Sequence, residues 1–91
     1  MIARRLAIAG RVQGVGFRDW LVAEATAAGL SGWVRNRTDG TVEALLAGEA
    51  EAVARVAEAC RRGPPAARVE RVAEEPADPP AERGFRRLPT R

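Results

Sequence analysis

The 91 residues predict an α+β fold, a βαββαβ sandwich in which an antiparallel sheet carries two helices on one face. Three observations lead there. Apolar residues recur at strand spacing near both ends and in the middle of the chain, with two stretches of helical spacing between them. Asp39-Gly40 sits between the two central strand-like runs as a hairpin signal. No repeat or linker divides the chain, so residues 1–91 are expected to form one domain around one core.

The first strand is read over Ile2 to Ala9, with Ile2, Leu6 and Ile8 on one face and Arg4 breaking their pattern. Gly10 ends it, and Gly10, Gly14 and Gly16 punctuate the loop that follows. Phe17, Leu21, Ala25 and Ala28 then fall at helical spacing until Gly29 stops the run. Leu30 to Arg37 reads as a second strand. Thr41 to Ala47 is the third, antiparallel to it across the Asp39-Gly40 turn.

A second helix is expected from about Glu49 to Arg62, presenting Ala50, Val53, Ala57 and Cys60 on its apolar face. Glu51 with Arg55, and Glu58 with Arg62, are spaced as i, i+4 pairs on its wet side. Gly63-Pro64-Pro65 terminates it. Ala67 to Glu74 is read as a strand whose Val69 and Val72 lie three apart, a break in alternation that a bulge accounts for. Pro76 to Arg83 is a proline-rich, charged surface loop, and Gly84 to Leu88 is a short last strand. This is the order of the ferredoxin-like sandwich with one short strand added.

Composition removes whole classes of chemistry. The chain has no histidine and no tyrosine, and its fifteen Lys and Arg residues are all arginine, so catalytic triads and Schiff bases are excluded. A single cysteine, Cys60, forms no internal disulfide and is read as a buried, inert thiol; without histidine it offers no zinc or haem site. Only carboxylates could hold a metal, and neither metal nor cofactor is expected. Ser31 lacks the spacing of a nucleophile elbow and is read as structural. No segment has the length of a membrane span, and Met1 to Ala9 is too short and too arginine-rich for a secretory signal, so the cytoplasm is the expected location. A net charge of +3 with a pI near 10.9 raises nucleic acid as a partner, but glutamates are interspersed among the arginines and the charge is not gathered into a patch.

Two segments carry chemistry. In Gly10-Arg11-Val12-Gln13-Gly14-Val15-Gly16-Phe17-Arg18 a glycine-rich loop follows a strand and opens a helix, a geometry that turns backbone N–H groups toward an anion. Arg18, just inside the helix, can add a guanidinium that binds phosphate oxygens in a bidentate manner. The loop has neither the lysine of a Walker motif nor the third glycine of a dinucleotide fingerprint, where Asp19 stands instead. In Gly32-Trp33-Val34-Arg35-Asn36 a strand ends in asparagine, a poor strand former, just before the hairpin. Asn36 shares a face with Val34, while Trp33 and Arg35 share the other. Read as residues alone, the glycines could serve only a tight turn, and Asn36 could serve only to shape the hairpin.

Together these segments closely resemble the paired signatures of the acylphosphatases, Gly-Arg-Val-Gln-Gly-Val-Gly-Phe-Arg at residues 10–18 and Gly-Trp-Val-Arg-Asn at 32–36, continued by Asp39-Gly40-Thr41-Val42-Glu43. Gly63-Pro64-Pro65-Ala66, with Val69 and Val72 after it, is also similar to the family. The resemblance covers essentially the whole chain. It implies a ferredoxin-like sandwich and a metal-free hydrolase of acyl phosphates, with inorganic phosphate as product or inhibitor. It further implies that Arg18 binds the phosphate, that Asn36 orients the attacking water, and that the loop Gln13, Gly14, Val15, Gly16, Phe17 and Arg18 forms the phosphate cradle. A similar module begins larger carbamoyl-transfer maturation proteins, but this chain ends where the domain ends and is expected to act alone, as a monomer.

The alternative is a non-catalytic module of the same fold that binds a phosphate metabolite or RNA. Gly14-Val15-Gly16-Phe17 echoes the core motif of RNA-recognition domains, yet it falls in a loop and carries Val15 at the aromatic position. Two Trp and two Phe leave little surface on which bases could stack.

Overall fold

A computed structural model describes Met1 to Arg91. β1 (Ile2–Arg11), α1 (Phe17–Ala27), β2 (Ser31–Asn36), β3 (Val42–Gly48), α2 (Ala50–Cys60), β4 (Arg68–Pro76) and β5 (Phe85–Arg87) follow in that order. The sheet order is β4-β1-β3-β2-β5. The four long strands are antiparallel neighbours, but β5 pairs with β2 in parallel, so the sheet is mixed rather than purely antiparallel. The reason lies in the last connection. Residues 77–84 leave β4 at one edge and deliver β5 to the opposite edge, where it runs in the direction of β2 and Gly32 donates to the Gly84 carbonyl.

Alternation sorts the strand residues into two layers. Leu6, Ile8, Val34, Val42, Ala44 and Leu46 face the two helices and join Phe17, Leu21, Ala25, Val53, Val56 and Cys60 in one core. On the other face Ala3, Leu45 and Ala47 form a small apolar patch, against which Trp33 and Ala77 pack. Ile2 lies at the end of its strand and is 38% exposed, so the first strand seats Leu6 and Ile8 in the core without it.

α1 buries Phe17, Leu21 and Ala25, and its last turn closes where Leu30 N–H returns to the Ala25 carbonyl past Gly29. α2 buries Ala52, Val53, Val56, Ala57 and Cys60, whereas Ala50 is exposed in its first turn. Neither expected i, i+4 ion pair forms on α2. Arg61 instead approaches Glu58 at 3.9 Å and Glu74 of β4 at 3.5 Å. A solvated i, i+4 pair is worth only about 0.3 to 0.5 kcal/mol, too little to fix two long side chains.

The bulge expected on β4 is present. Ala9 pairs with Arg71 and Gly10 with Val69, which leaves Glu70 without a partner. Val72 is buried and Val69 packs at the margin of the same core despite their spacing. Gly32 marks the closest backbone approach in the sheet: a Cβ there would lie 1.8 Å from the Leu45 carbonyl oxygen, at a φ of +137°. Only glycine fits that position.

Candidate active site

The loop between β1 and α1 is held at both ends and left open in the middle. Val12 is buried and Val15 packs against the core, while Phe17 is buried beneath the helix start with its ring edge-on to Trp20 at 5.3 Å. Gly14 and Gly16 take φ values of +72° and +80°, a left-handed conformation that costs about 1 to 2 kcal/mol for a residue with a Cβ. Gly16 is the N-cap of α1 and offers no side chain to its amides. None of the backbone N–H groups from Gln13 to Asp19 donates to an acceptor within the protein. A run of free donors at a helix N-terminus is a geometry suited to receiving an anion.

Gln13 contributes more than its backbone. Its side-chain Nε2 donates to the carbonyl oxygens of Arg37 at 2.8 Å and Thr41 at 2.9 Å, which ties the loop to the β2–β3 hairpin. The hairpin is closed by Arg37 N–H to the Thr41 carbonyl and by Asp39, whose Oδ1 accepts from both the Thr41 hydroxyl and the Thr41 N–H. Those two bonds, the hydroxyl first, hold the Asp39 carboxyl below the usual carboxylate range. Sequence reasoning placed Gln13 in the cradle without its side-chain role. The signal available was the residue type, since an amide in a tight glycine loop is suited to bridging backbone groups.

Asn36 is the one buried polar residue, 8% exposed at the end of β2 on the helix-facing side with Val34. Its side-chain amide makes no hydrogen bond within the protein, yet no side-chain polar atom is sealed from solvent without a partner. The amide therefore opens into a cavity of about 160 Å³ that Gly14, Gly16, Arg18, Asp19 and Arg87 also line. Arg18 is half-buried and makes no ion pair with any carboxylate. Asp19, whose pairing with Arg18 the sequence leaves open, instead binds Arg87 of β5 at 2.5 Å. The sequence carries no signal for Arg87, because only the parallel pairing of β5 with β2 brings it there.

Larger hollows lie over the opposite face of the sheet, the first of about 330 Å³ bordered by Arg5, Arg37, Glu43 and Glu75. Their charges already answer one another: Arg5 binds Glu75, and Arg35 and Arg37 both bind Glu43. Arg35 also lies over the Trp33 ring, 4.9 Å from its centroid. Only the loop cavity combines free donors, an unpaired guanidinium and an unpartnered amide. Residues 4–87 fit the family described as Acylphosphatase.

The chain belongs to the acylphosphatase family. It is 61% identical over 85 residues to the acylphosphatase of Acidiphilium cryptum (strain JF-5), covering 93% of each chain. Among solved structures it superposes on the acylphosphatase from Bacillus subtilis with a TM-score of 0.92 at 36% identity, over 97% of this chain and 99% of that one. An acylphosphatase from Coxiella burnetii gives 0.91 at 32% identity, over 96% and 92%. The chain is thus an acyl-phosphate hydrolase on a ferredoxin-like fold, with a small-molecule acyl phosphate as substrate. No helix of this acylphosphatase is long and apolar enough to cross a membrane. The stretch that echoed an RNA-recognition motif lies in the loop and helix start, away from the sheet surface.

Proposed function

We propose that this acylphosphatase cleaves the carboxyl–phosphate bond by in-line attack of water, with Arg18 and the amides of Gln13 to Arg18 holding the phosphoryl oxygens and Asn36 orienting the water. The observation that carries the reading is the convergence of free loop amides, an unpaired Arg18 and an unpartnered Asn36 amide on one cavity.

The chemistry asks for little more. The leaving group is a carboxylate with a pKa of about 4, so it departs without a proton from a general acid. What is left is to balance charge on the phosphoryl group and to align the nucleophile, which is positioning plus electrostatics. The amide of Asn36 can accept a hydrogen bond from water and donate one, but it is no base. The water's proton therefore passes to a phosphoryl oxygen. Inorganic phosphate carries the same oxygens and should occupy the cradle as a competitive inhibitor. A monomer suffices for this mechanism, and the protein is proposed to act as one. The free thiol of Cys60 suits the reducing cytoplasm.

Hydrolysis of benzoyl phosphate with a chelator present tests the reading. Turnover that survives chelation and collapses in both Arg18→Ala and Asn36→Ala supports it; full activity in either variant would sink the role assigned to that residue.

A further inference from the structure

Arg87 is a second guanidinium at the phosphate cavity, and nothing in the hydrolytic step described above uses it. It comes from the far end of the chain. β5 pairs with β2 so that Arg87 stands beside Val34, on the face that carries Asn36 two residues further along β2. From there its side chain lines the cavity and meets Asp19, the only carboxylate on the cavity wall. Both partners are solvent-accessible, so the pair sits at the mouth rather than the floor.

The phosphoryl group does not need this arginine. Its three free oxygens face a run of unengaged amides and the fork of Arg18, enough donors to satisfy them. A cation at the mouth lies where the rest of the substrate must pass. While the site is empty, Asp19 neutralises it. A neutral acyl chain gives Arg87 no reason to leave Asp19, whereas an anionic one competes for the guanidinium with charge-assisted bonds of its own.

We propose that Arg87 is a specificity residue that takes a second anionic group on the acyl part of the substrate, and that Asp19 is the internal competitor for it. The proposal rests on the phosphate site built from Arg18 and the loop. It makes the acylphosphatase selective for acyl phosphates with a carboxylate or phosphate ester at the far end of a short acyl chain. The pair also sets a sign: removing Arg87 lowers that selectivity, and removing the charge of Asp19 raises it. A pair that only braced β5 against α1 would give both variants the same effect.

The experiment compares kcat/KM for succinyl phosphate, whose acyl chain ends in a carboxylate, with that for butanoyl phosphate, which ends in a methyl group, at low ionic strength. The ratio should fall about threefold to fivefold in Arg87→Gln and rise in Asp19→Asn, as expected for an exposed charge contact, and both effects should shrink in salt. An unchanged ratio in Arg87→Gln, or a shift in the same direction in both variants, overturns the proposal. So does a loss of inhibition by inorganic phosphate in Arg87→Gln together with an equal fall in kcat/KM for both substrates, which would assign Arg87 to the phosphoryl group. Arg18→Ala is measured in parallel: retained turnover there would refute the phosphate site itself, an outcome separate from any change in the ratio.

Discussion

The side-chain amide of Gln13 donates to the carbonyl oxygen of Arg37, the residue immediately after Asn36, at 2.8 Å. One side chain of the glycine-rich loop thereby ties that loop to the strand end that carries Asn36, the residue proposed to orient the water. Two segments far apart in sequence are registered to each other by one side-chain-to-backbone bond.

Gln13→Ala should therefore reduce kcat more than it weakens phosphate binding, by about tenfold, because misplacing a reacting group by a fraction of an ångström is costly in an aligned attack. Steady-state kinetics in a double-mutant cycle check the route. If Gln13 acts by placing Asn36, its loss will have almost no further effect on kcat in the Asn36→Ala background.

Arg18→Ala and Asn36→Ala should differ in kind. On the roles proposed above, the first removes a charge that holds the phosphoryl oxygens in the ground state and holds them more strongly in the transition state, so both phosphate inhibition and kcat suffer. The second should leave the inhibition constant for phosphate within about twofold and lower kcat by about 2 to 4 kcal/mol in barrier, the range for losing one preorganised polar contact. Phosphate inhibition that weakens as much in Asn36→Ala as in Arg18→Ala would contradict the division of roles.

The pH profile of kcat should be flat from about pH 5 to 8, since the chain has no histidine and the mechanism uses no titrating side chain. A bell-shaped profile with a sharp limb inside that range would require an acid or base that the proposal does not contain.

Burial pushes the Cys60 thiol up to about 12, with Glu24 and Glu74 adding smaller effects in the same direction. Its folded pKa lies above its unfolded one, so the neutral thiol favours the folded state in full below the ordinary thiol pKa. That contribution is lost as pH rises toward 12. Iodoacetamide at pH 8 should leave native Cys60 unlabelled and label it on unfolding; rapid labelling of the native protein would show that the thiol is accessible.

Gly32→Ala should destabilise the fold by more than about 3 kcal/mol, because its Cβ would overlap the Leu45 carbonyl at 1.8 Å and press on the Phe85 ring at 3.2 Å. Gly16→Ala meets no atom within 4 Å and pays only for its positive φ, about 1 to 2 kcal/mol. Chemical denaturation of the two variants checks the order.

Local pattern was enough for the elements and for part of the candidate site. Leu21 and Ala25 in α1, Val53 and Ala57 in α2, the Asp39-Gly40 turn and the bulge behind Val69 and Val72 are all legible because period and turn chemistry act over a few residues. Arg18 and Asn36 were legible through the motifs around them. Long-range pairing was not: the parallel seat of β5, the Asp19–Arg87 bond, the Gln13 clamp and the Arg61–Glu74 contact each join residues more than ten positions apart.

Local pattern therefore carried the order of strands and helices, the absence of histidine chemistry and the glycine-rich turn that opens α1, whereas the freedom of that turn's amides is seen only in the fold. The tertiary structure alone decided which guanidinium stays unpaired in the cavity and which is held by a carboxylate. Helical and strand periods are set by covalent geometry and solvent, which every short segment carries with it. The pairing of a flexible arginine depends on which strand edge the chain reaches last, and at this edge β5 places Arg87 against Asp19 and leaves Arg18 free.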